Sequence, residues 1–359
     1  MNLTNLSSAL LIGKNGAGKS TIAHVLQILQ AIARGTNRMR DLANPLDYFV
    51  GPKDFTRGRV DVPMRFEIEI LLDKRFYKYV LVLEFPKGFR ELRVAEELFS
   101  VDGNPVYSRK EALVTLHKTP SNKEVTFPVD WHLVALPIIQ EQSEMGALHL
   151  FKTWLAQMII LAPIPTKMIG ISSGETLEPR CDGSNFAEWY TGLLSLYPAA
   201  YSYIDNYIKG MLPDMQYFRN VQVGSDSKSM QVQFTEKDSS FPVEFNDLSD
   251  GEKCFFLCAI VLAANKFYGP CFCFWDEPDN YLSLSEIGHF VIALRSTFNK
   301  SGQILMASHN PEIIRKFSNE NTFILDRKSH LEPTLIKLLS EAKLFGNLVD
   351  ALIRWDIQL

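Results

Sequence analysis

Gly13-Lys14-Asn15-Gly16-Ala17-Gly18-Lys19-Ser20 fits the pattern G-x-x-x-x-G-K-[ST]. Its flanks give the pattern its weight. Ala9 to Ile12 is a short apolar run ending at the first glycine, and Ile22, Val25, Leu26, Leu29 and Ile32 then recur at helical spacing until Gly35. Strand, glycine loop and helix in that order make a phosphate cradle. Glycines let backbone N–H groups wrap an anion, and the helix N-terminus adds partial positive charge. Lys19 can reach the terminal phosphates, and the Ser20 hydroxyl can ligate Mg²⁺. Gly13, Lys14, Asn15, Gly16, Ala17, Gly18, Lys19, Ser20 and Thr21 are therefore the candidate nucleotide-binding residues.

Further along, Cys271 to Trp275 is a five-residue apolar run ending in Asp276-Glu277-Pro278. A buried strand that delivers two acids beside a phosphate loop suits metal-assisted hydrolysis. Asp276 would hold Mg²⁺ and Glu277, with catalytic Lys19 across the phosphate, would polarise the attacking water. About one helix upstream, Leu248-Ser249-Asp250-Gly251-Glu252-Lys253 opens the apolar run Cys254 to Ala264. Read locally, Ser249 with Glu252 three residues on is a capping box. Downstream, Ala307-Ser308-His309-Asn310-Pro311 places a histidine at the end of another apolar strand.

The order and spacing of these four segments resemble the ABC ATPases. The 248–253 segment is similar to their Leu-Ser-Gly-Gly-Gln/Glu signature, with Asp250 in place of the first of the two glycines. The resemblance implies ATP and Mg²⁺ as cofactors, and a head-to-tail dimer in which Ser249, Gly251 and Glu252 of one copy meet the γ-phosphate held by the other. It implies that His309 is the switch histidine and that 280–283 is the loop crossing the dimer interface. Within the superfamily, the large insertion between the phosphate loop and the signature, the Asp-Glu-Pro-Asp-Asn phrase and the Ser-His-Asn-Pro phrase look like the SMC, OLD and Septu group. The resemblance is to the compact, AAA-type relatives in that group, without the long coiled coil of SMC proteins, and it implies a role in bacterial antiphage defence or DNA repair. Asp250 brings a carboxylate toward the expected γ-phosphate, so turnover is expected to be slow. Family members usually carry a further strand or two before the first one here, which implies a truncated start or a differently built edge.

The fold class expected is α/β: an ABC-type P-loop head, with a β-rich antiparallel lobe and a helical lobe inserted between the phosphate loop and the signature. Residues 1–359 are read as one ATPase domain, with a P-loop segment at 1–35, a β-rich lobe at 60–128, a helical lobe at 130–213 and an α/β lobe at 217–359. From Met64 the apolar period is two, and turns fall at Asp73-Lys74 and Asp102-Gly103-Asn104-Pro105. In the middle, helices are expected at Ser143 to Gln157, after an N-cap at Ser184, and from Pro198 to Pro213. A strand at Thr322 to Asp326 and a terminal helix near Pro333 to Trp355 close the chain.

Composition bounds the rest. A formal charge of −4 and a pI near 6.0 argue against a protein built wholly around nucleic acid. The charge is uneven, with 19 basic against 14 acidic residues through residue 128 and 18 against 27 beyond. That asymmetry is the only ground for a nucleic-acid partner, through Lys53, Arg57, Arg59, Lys74, Arg75 and Lys78, and such a face on alternating strands is more often simply solvated. The longest apolar run is too short to span a bilayer, no secretion signal precedes the first strand, and five cysteines suit reduced buried thiols. A cytoplasmic location without membrane contact is expected. Scattered histidines and the absence of a Cys-x-x-Cys pair give no support to a zinc site or an HNH nuclease, and the 50 residues after His309 leave no room for a Toprim domain. An effector nuclease would be a separate chain. The competing readings are a nucleotide-driven switch controlling such an effector, a DNA-repair ATPase that binds DNA, and an ATP-binding scaffold with negligible hydrolysis.

Overall fold

The structure is a computed structural model describing residues 1–39, 50–51, 54–55, 58–89, 91–117, 123–141, 146–237, 239–329, 332–344 and 357–358. The chain divides into two compact units, His24–Gln157 on one hand and Met1–Ala23 with Met158–Leu359 on the other. The first strand, β1 (Ser8–Gly13), is buried along its whole length, and the helix α1 (Lys19–Ala33) follows the glycine loop.

Unit His24–Gln157 is built on a six-stranded antiparallel meander. Its strands are β2 (Met64–Leu72), β3 (Arg75–Glu84), β4 (Arg93–Val101), β5 (Asn104–Lys110), β6 (Leu113–Leu116) and β7 (Val125–Pro128), paired in that order. Both expected turns form tight hairpins: Asp73 and Lys74 lie at φ 48° and 65°, and Asp102 and Gly103 at 50° and 77°. Two successive left-handed residues match the twist of the flanking strands. Alternation sends Phe66, Tyr79, Leu81, Phe99, Tyr107 and Val114 inward, and α2 (Ala147–Ala156) adds Phe151 against Phe99 and Tyr79 at ring distances of 5.0 and 5.9 Å. Of the helix expected from Ser143, residues 143–145 lie outside the described residues.

Two ionisable side chains are buried together in that unit. Glu97, 1% exposed, accepts from the Tyr79 and Tyr107 hydroxyls at 3.0 and 2.8 Å and from the N–H groups of Ala135 and Leu136 at 2.8 and 2.9 Å. Arg109, itself buried, stands 3.8 Å away. Burial raises the Glu97 carboxyl above its ordinary range, against hydrogen bonds that favour the anion.

The other unit continues with β8 (Ile159–Leu161), β9 (Ile171–Ser172), α3 (Phe186–Leu196), α4 (Ala200–Met211), β10 (Met215–Val223), β11 (Ser227–Glu236) and β12 (Ser239–Glu244). Then come α5 (Asp250–Phe267), β13 (Phe272–Asp276), α6 (Leu284–Lys300), β14 (Gln303–Ala307), α7 (Pro311–Ile314), β15 (Thr322–Asp326) and β16 (Leu335–Leu338). The main sheet has the order β16-β15-β1-β14-β13-β8. Five strands are parallel and β16 runs antiparallel at the edge. Helix α5 is buried on every side from Lys253 to Asn265, so its apolar run has no polar face. A smaller antiparallel sheet, β10-β11-β12 with β9 on β11, and a two-stranded antiparallel pair of Lys343–Leu344 with Ile357–Gln358 also belong to the unit.

Four local expectations are corrected. The middle is not wholly helical, because Ile159–Leu161 is a fully buried strand of the main sheet; three apolar residues carry no periodicity that separates strand from helix. Asn185, not Ser184, precedes α3, and its side chain spans the loop, accepting from the Arg180 N–H at 2.7 Å and donating to the Glu178 carbonyl at 2.9 Å. Helix α4 opens at Ala200 rather than at Pro198. The terminal segment begins as β16 instead of a helix, since Leu335–Leu338 pairs with Phe323–Asp326 and so covers an otherwise open sheet edge. Residues 345–355 of that expected helix lie outside the described residues.

Candidate functional site

Register brings the chemistry together. Leu11 pairs with Ala307 in β1 and β14, and Ala307 pairs with Asp276 in β14 and β13, all parallel. The three strands therefore end at one sheet edge, and each is followed by one of the segments singled out in the sequence: Gly13–Ser20, Glu277–Asn280 and Ser308–Asn310. Ligands of open parallel sheets bind at such carboxyl ends.

In the glycine loop, Gly16 and Gly18 adopt φ of 79° and 102°, where a side chain would be strained. Gly13 is fixed by contact, because a Cβ there would stand 2.6 Å from the Leu325 carbonyl oxygen. The Ala17 N–H donates to the Lys14 carbonyl at 3.1 Å, and Thr21 N–H to Gly18 at 3.2 Å. Lys19 is buried, and its ammonium folds across the loop to donate to the Gly13 carbonyl at 2.9 Å. Ser20 donates to Asp276 Oδ2 at 2.6 Å. A hydroxyl and one buried carboxylate in contact are the hard oxygen donors that Mg²⁺ shares with phosphates and waters. Among the described residues no cluster of three or more His, Cys, Asp or Glu forms a closed metal cage. The donor set fits an ion held partly by its nucleotide.

Glu277 is held in an unusual pose. Its φ is 49°, its N–H donates to the Ala307 carbonyl at 2.7 Å, and Asn280 Nδ2 donates to its Oε2 at 2.7 Å. Its other oxygen faces His309 Nδ1 at 3.4 Å, with the histidine side chain 60% exposed. A non-glycine residue in the left-handed region costs about 1–2 kcal/mol, and such strain gathers at functional positions. The expected acid and histidine thus stand side by side.

Several supporting residues were not singled out from the sequence. Ser308, buried, donates its hydroxyl to Asp279 Oδ1 at 2.8 Å and its N–H to the Leu11 carbonyl at 3.1 Å, tying the β14 end to both neighbours. Asn310 caps α7 by accepting from the Glu312 N–H at 2.9 Å. Thr334 donates to the Ala17 carbonyl at 2.8 Å, from 317 residues away. Asp279, Asn280, Ser308 and Asn310 lay inside phrases already noticed, whereas nothing around Thr334 marks it.

The signature segment is built as its local reading expects. Ser249 caps α5 in a full capping box: its N–H donates to Glu252 Oε2 at 2.7 Å, and its Oγ accepts from the Glu252 N–H at 3.3 Å. Gly251 is needed for close approach, since a Cβ would stand 3.0 Å from the Tyr281 carbonyl. The start of α5 therefore abuts the loop after Glu277. Tyr281 and Leu284 beside it are 39% and 70% exposed. Asp250 acts on Cys254 one turn along, whose thiol burial, and then this carboxylate, push up to about 12.

Of the basic residues raised from the sequence, Lys53 and Arg57 lie outside the described residues, while Arg59, Arg75 and Lys78 are paired with Asp61, Asp102 and Glu67 at 2.7, 2.9 and 2.5 Å. Paired charges of that kind form a solvated face rather than an anion trap.

Residues 195–315 match the family described as "AAA domain, putative AbiEii toxin, Type IV TA system". Among solved structures, an SMC head bound to the C-terminal winged-helix domain of ScpA is similar over 93% of this chain and 90% of that one, at TM-score 0.53 and 15% identity. An SMC head with extended coiled coil from Pyrococcus furiosus, bound to the C-terminal domain of ScpA, aligns at TM-score 0.48 and 13% identity over 93% and 90%. The SMC head domain from Thermotoga maritima aligns at 0.37 and 12% over 92% and 89%. No curated protein sequence matches. The fold is that of an SMC head domain. Among the described residues, no helix is long and apolar enough to cross a membrane.

Proposed function

We propose that residues 1–359 act as one ATP-hydrolysing domain, a slow nucleotide-driven switch. The observation that carries this reading is the meeting of Lys19, Ser20, Asp276, Glu277 and His309 at the carboxyl ends of adjacent parallel strands. Lys19 and N–H groups of the glycine loop would bind the phosphates, and Ser20 and Asp276 would hold Mg²⁺, which would supply charge neutralisation for phosphoryl transfer. Glu277 orients and deprotonates the attacking water, and His309 positions Glu277 and meets the γ-phosphate. The capping box leaves Ser249 exposed at a helix N-terminus, where Ser249, Gly251 and Glu252 can face an anion on a second copy.

Two copies closing head to tail around two ATP molecules would bury Tyr281 and Leu284, and hydrolysis would reopen them. Closure is passed to a partner protein, an effector nuclease of bacterial antiphage defence or a DNA-repair partner. The toxin–antitoxin description of the matched family supports the defence setting, and the SMC head bound to ScpA supports a protein partner. The test has two parts. Purified protein with Mg-ATP should hydrolyse it with a rate that rises more than linearly with protein concentration, and Glu277→Gln should migrate as a dimer when ATP is present. A linear dependence together with an ATP-bound monomer would sink the switch. ATP binding without single-turnover product would favour the scaffold reading, in which Asp250 blocks closure.

A further inference from the structure

Far along the sequence from these loops, unit His24–Gln157 holds a second reactive arrangement on the solvent face of its sheet. Ser108 Oγ lies 2.8 Å from His117 Nε2, and His117 Nδ1 lies 2.8 Å from Glu124 Oε1. In the tautomer whose Nδ1–H donates to the Glu124 carboxylate, Nε2 is an acceptor and Ser108 is the donor. That is the tautomer a serine nucleophile needs from its base.

Ser108 lies within a strand, while His117 follows β6 (Leu113–Leu116) and Glu124 precedes β7 (Val125–Pro128). Ser108 sits in β5, directly opposite Thr115 of β6, and Thr115 in turn opposes Thr126 of β7. Alternation puts Ser108, Thr115, His117 and Thr126 on one face. Ser108 and the two threonines line a cleft of ≈ 560 Å³ whose walls are mixed, with Arg65, Lys78, Glu96 and Lys110 beside Val80, Leu98 and Leu113. The Thr115 and Thr126 hydroxyls are bonded to each other at 3.1 Å, so one of their two protons remains available to a third oxygen.

We propose that Ser108, His117 and Glu124 form an acyl-transfer centre for small carboxylic esters, independent of the nucleotide site. Ser108 Oγ attacks the ester carbonyl carbon while its proton passes to His117 Nε2, with Glu124 stabilising the imidazolium. The carbonyl oxygen takes a hydrogen bond from the threonine pair. The carbon–alkoxy bond breaks and the alcohol leaves with the proton from Nε2. Water then adds to the acyl carbon, giving a proton to Nε2 as it does so. The Oγ–carbon bond breaks, that proton returns to Oγ, and a carboxylic acid is released. Val80, Leu98 and Leu113 give a short acyl chain apolar contact.

The test uses the full-length protein and an alkyl fluorophosphonate, which bonds to an activated serine Oγ with loss of fluoride. Peptide mapping should find the adduct on Ser108 and not on Ser225, an exposed serine whose hydroxyl donates to Asp226. His117→Ala should slow labelling by about 10²–10⁴, the usual contribution of a general base, at an unchanged melting temperature. p-Nitrophenyl acetate turnover should fall in parallel. Ser108→Cys supplies a readout that does not depend on probe chemistry: its new thiol should react with iodoacetamide faster than Cys181, and lose that advantage when His117→Ala is added. No adduct on Ser108, equal labelling of Ser108 and Ser225, or labelling indifferent to His117→Ala would each overturn the proposal.

Discussion

Replacing Glu277 by Gln separates binding from chemistry. Three contacts define the site: the backbone N–H bonded to Ala307 at 2.7 Å, Oε2 bonded to Asn280 at 2.7 Å, and Oε1 facing His309 at 3.4 Å. Glutamine has the same shape and can keep one oxygen on Asn280, so the loss is of charge and basicity. Removing a general base slows the chemical step by about 10²–10⁴, or roughly 3–5 kcal/mol at 1.36 kcal/mol per decade. The side chain is one-third exposed, and a change there should leave stability within ~0.5 kcal/mol. ATP affinity should be unchanged, because Lys19, Ser20 and Asp276 are untouched. The assay is single-turnover hydrolysis with enzyme in excess over labelled ATP, alongside direct measurement of nucleotide binding. Hydrolysis within threefold of the parent would show that Glu277 is not the base, and loss of binding in parallel with hydrolysis would refute the division of roles. Glu277→Gly is an independent check on the strained backbone. Glycine escapes the left-handed penalty of about 1–2 kcal/mol but gives back roughly 0.5–1 kcal/mol in chain entropy. Its melting temperature should therefore equal or slightly exceed the parent's while turnover is lost, and a marked fall would mean that no strain is held there.

Lys19→Ala should abolish turnover and weaken ATP binding; undiminished activity in that variant would betray a contaminating ATPase. Gly251→Ala should not bring the roughly 0.5–1 kcal/mol that alanine adds over glycine within a helix, because its Cβ would lie 3.0 Å from the Tyr281 carbonyl, and a gain of that full size in the denaturation midpoint would refute that contact. Glu97 should make stability fall with rising pH. Its folded carboxyl lies above the ordinary range, so its contribution is full below the unfolded value of about 4.3 and is lost as pH rises through the folded one. Glu97→Gln should flatten that slope in urea midpoints taken from acid to neutral pH, and an unaltered slope would refute the assignment. Cys254 and Cys271 are buried and pushed up to about 12, while Cys181 is only half-buried. Iodoacetamide, which needs the thiolate, should modify Cys181 first in the native protein and all five cysteines in denaturant; fast native labelling at Cys254 would contradict its burial.

Much of the site was legible because its signals are local. A glycine loop between an apolar run and a helical period needs only neighbouring residues to be recognised, and so does a buried strand ending in Asp276-Glu277. The β-rich lobe was legible for the same reason: a period of two, broken by Asp73-Lys74 and Asp102-Gly103, dictates hairpins. What failed had no local signature. Ile159–Leu161 is three apolar residues whose strand character comes wholly from pairing with β13. Leu335–Leu338 becomes a strand because β15 offers an edge. Ser184 lost the position before α3 because Asn185 had loop carbonyls and N–H groups to satisfy.

The sequence by itself determined a glycine loop opening a helix, a capping box opening a long apolar helix and an apolar strand ending in two acids, in that order, since each is specified by residues a few positions apart. Only the tertiary structure decided that they meet. The parallel register of β1, β14 and β13 brings segments nearly 300 residues apart to one sheet edge, and Thr334 reaches the glycine loop from the end of the chain. The Ser108, His117 and Glu124 contacts likewise depend on the pairing of β5, β6 and β7. Proximity between distant residues is a property of strand pairing and packing, and no spacing along the chain encodes it.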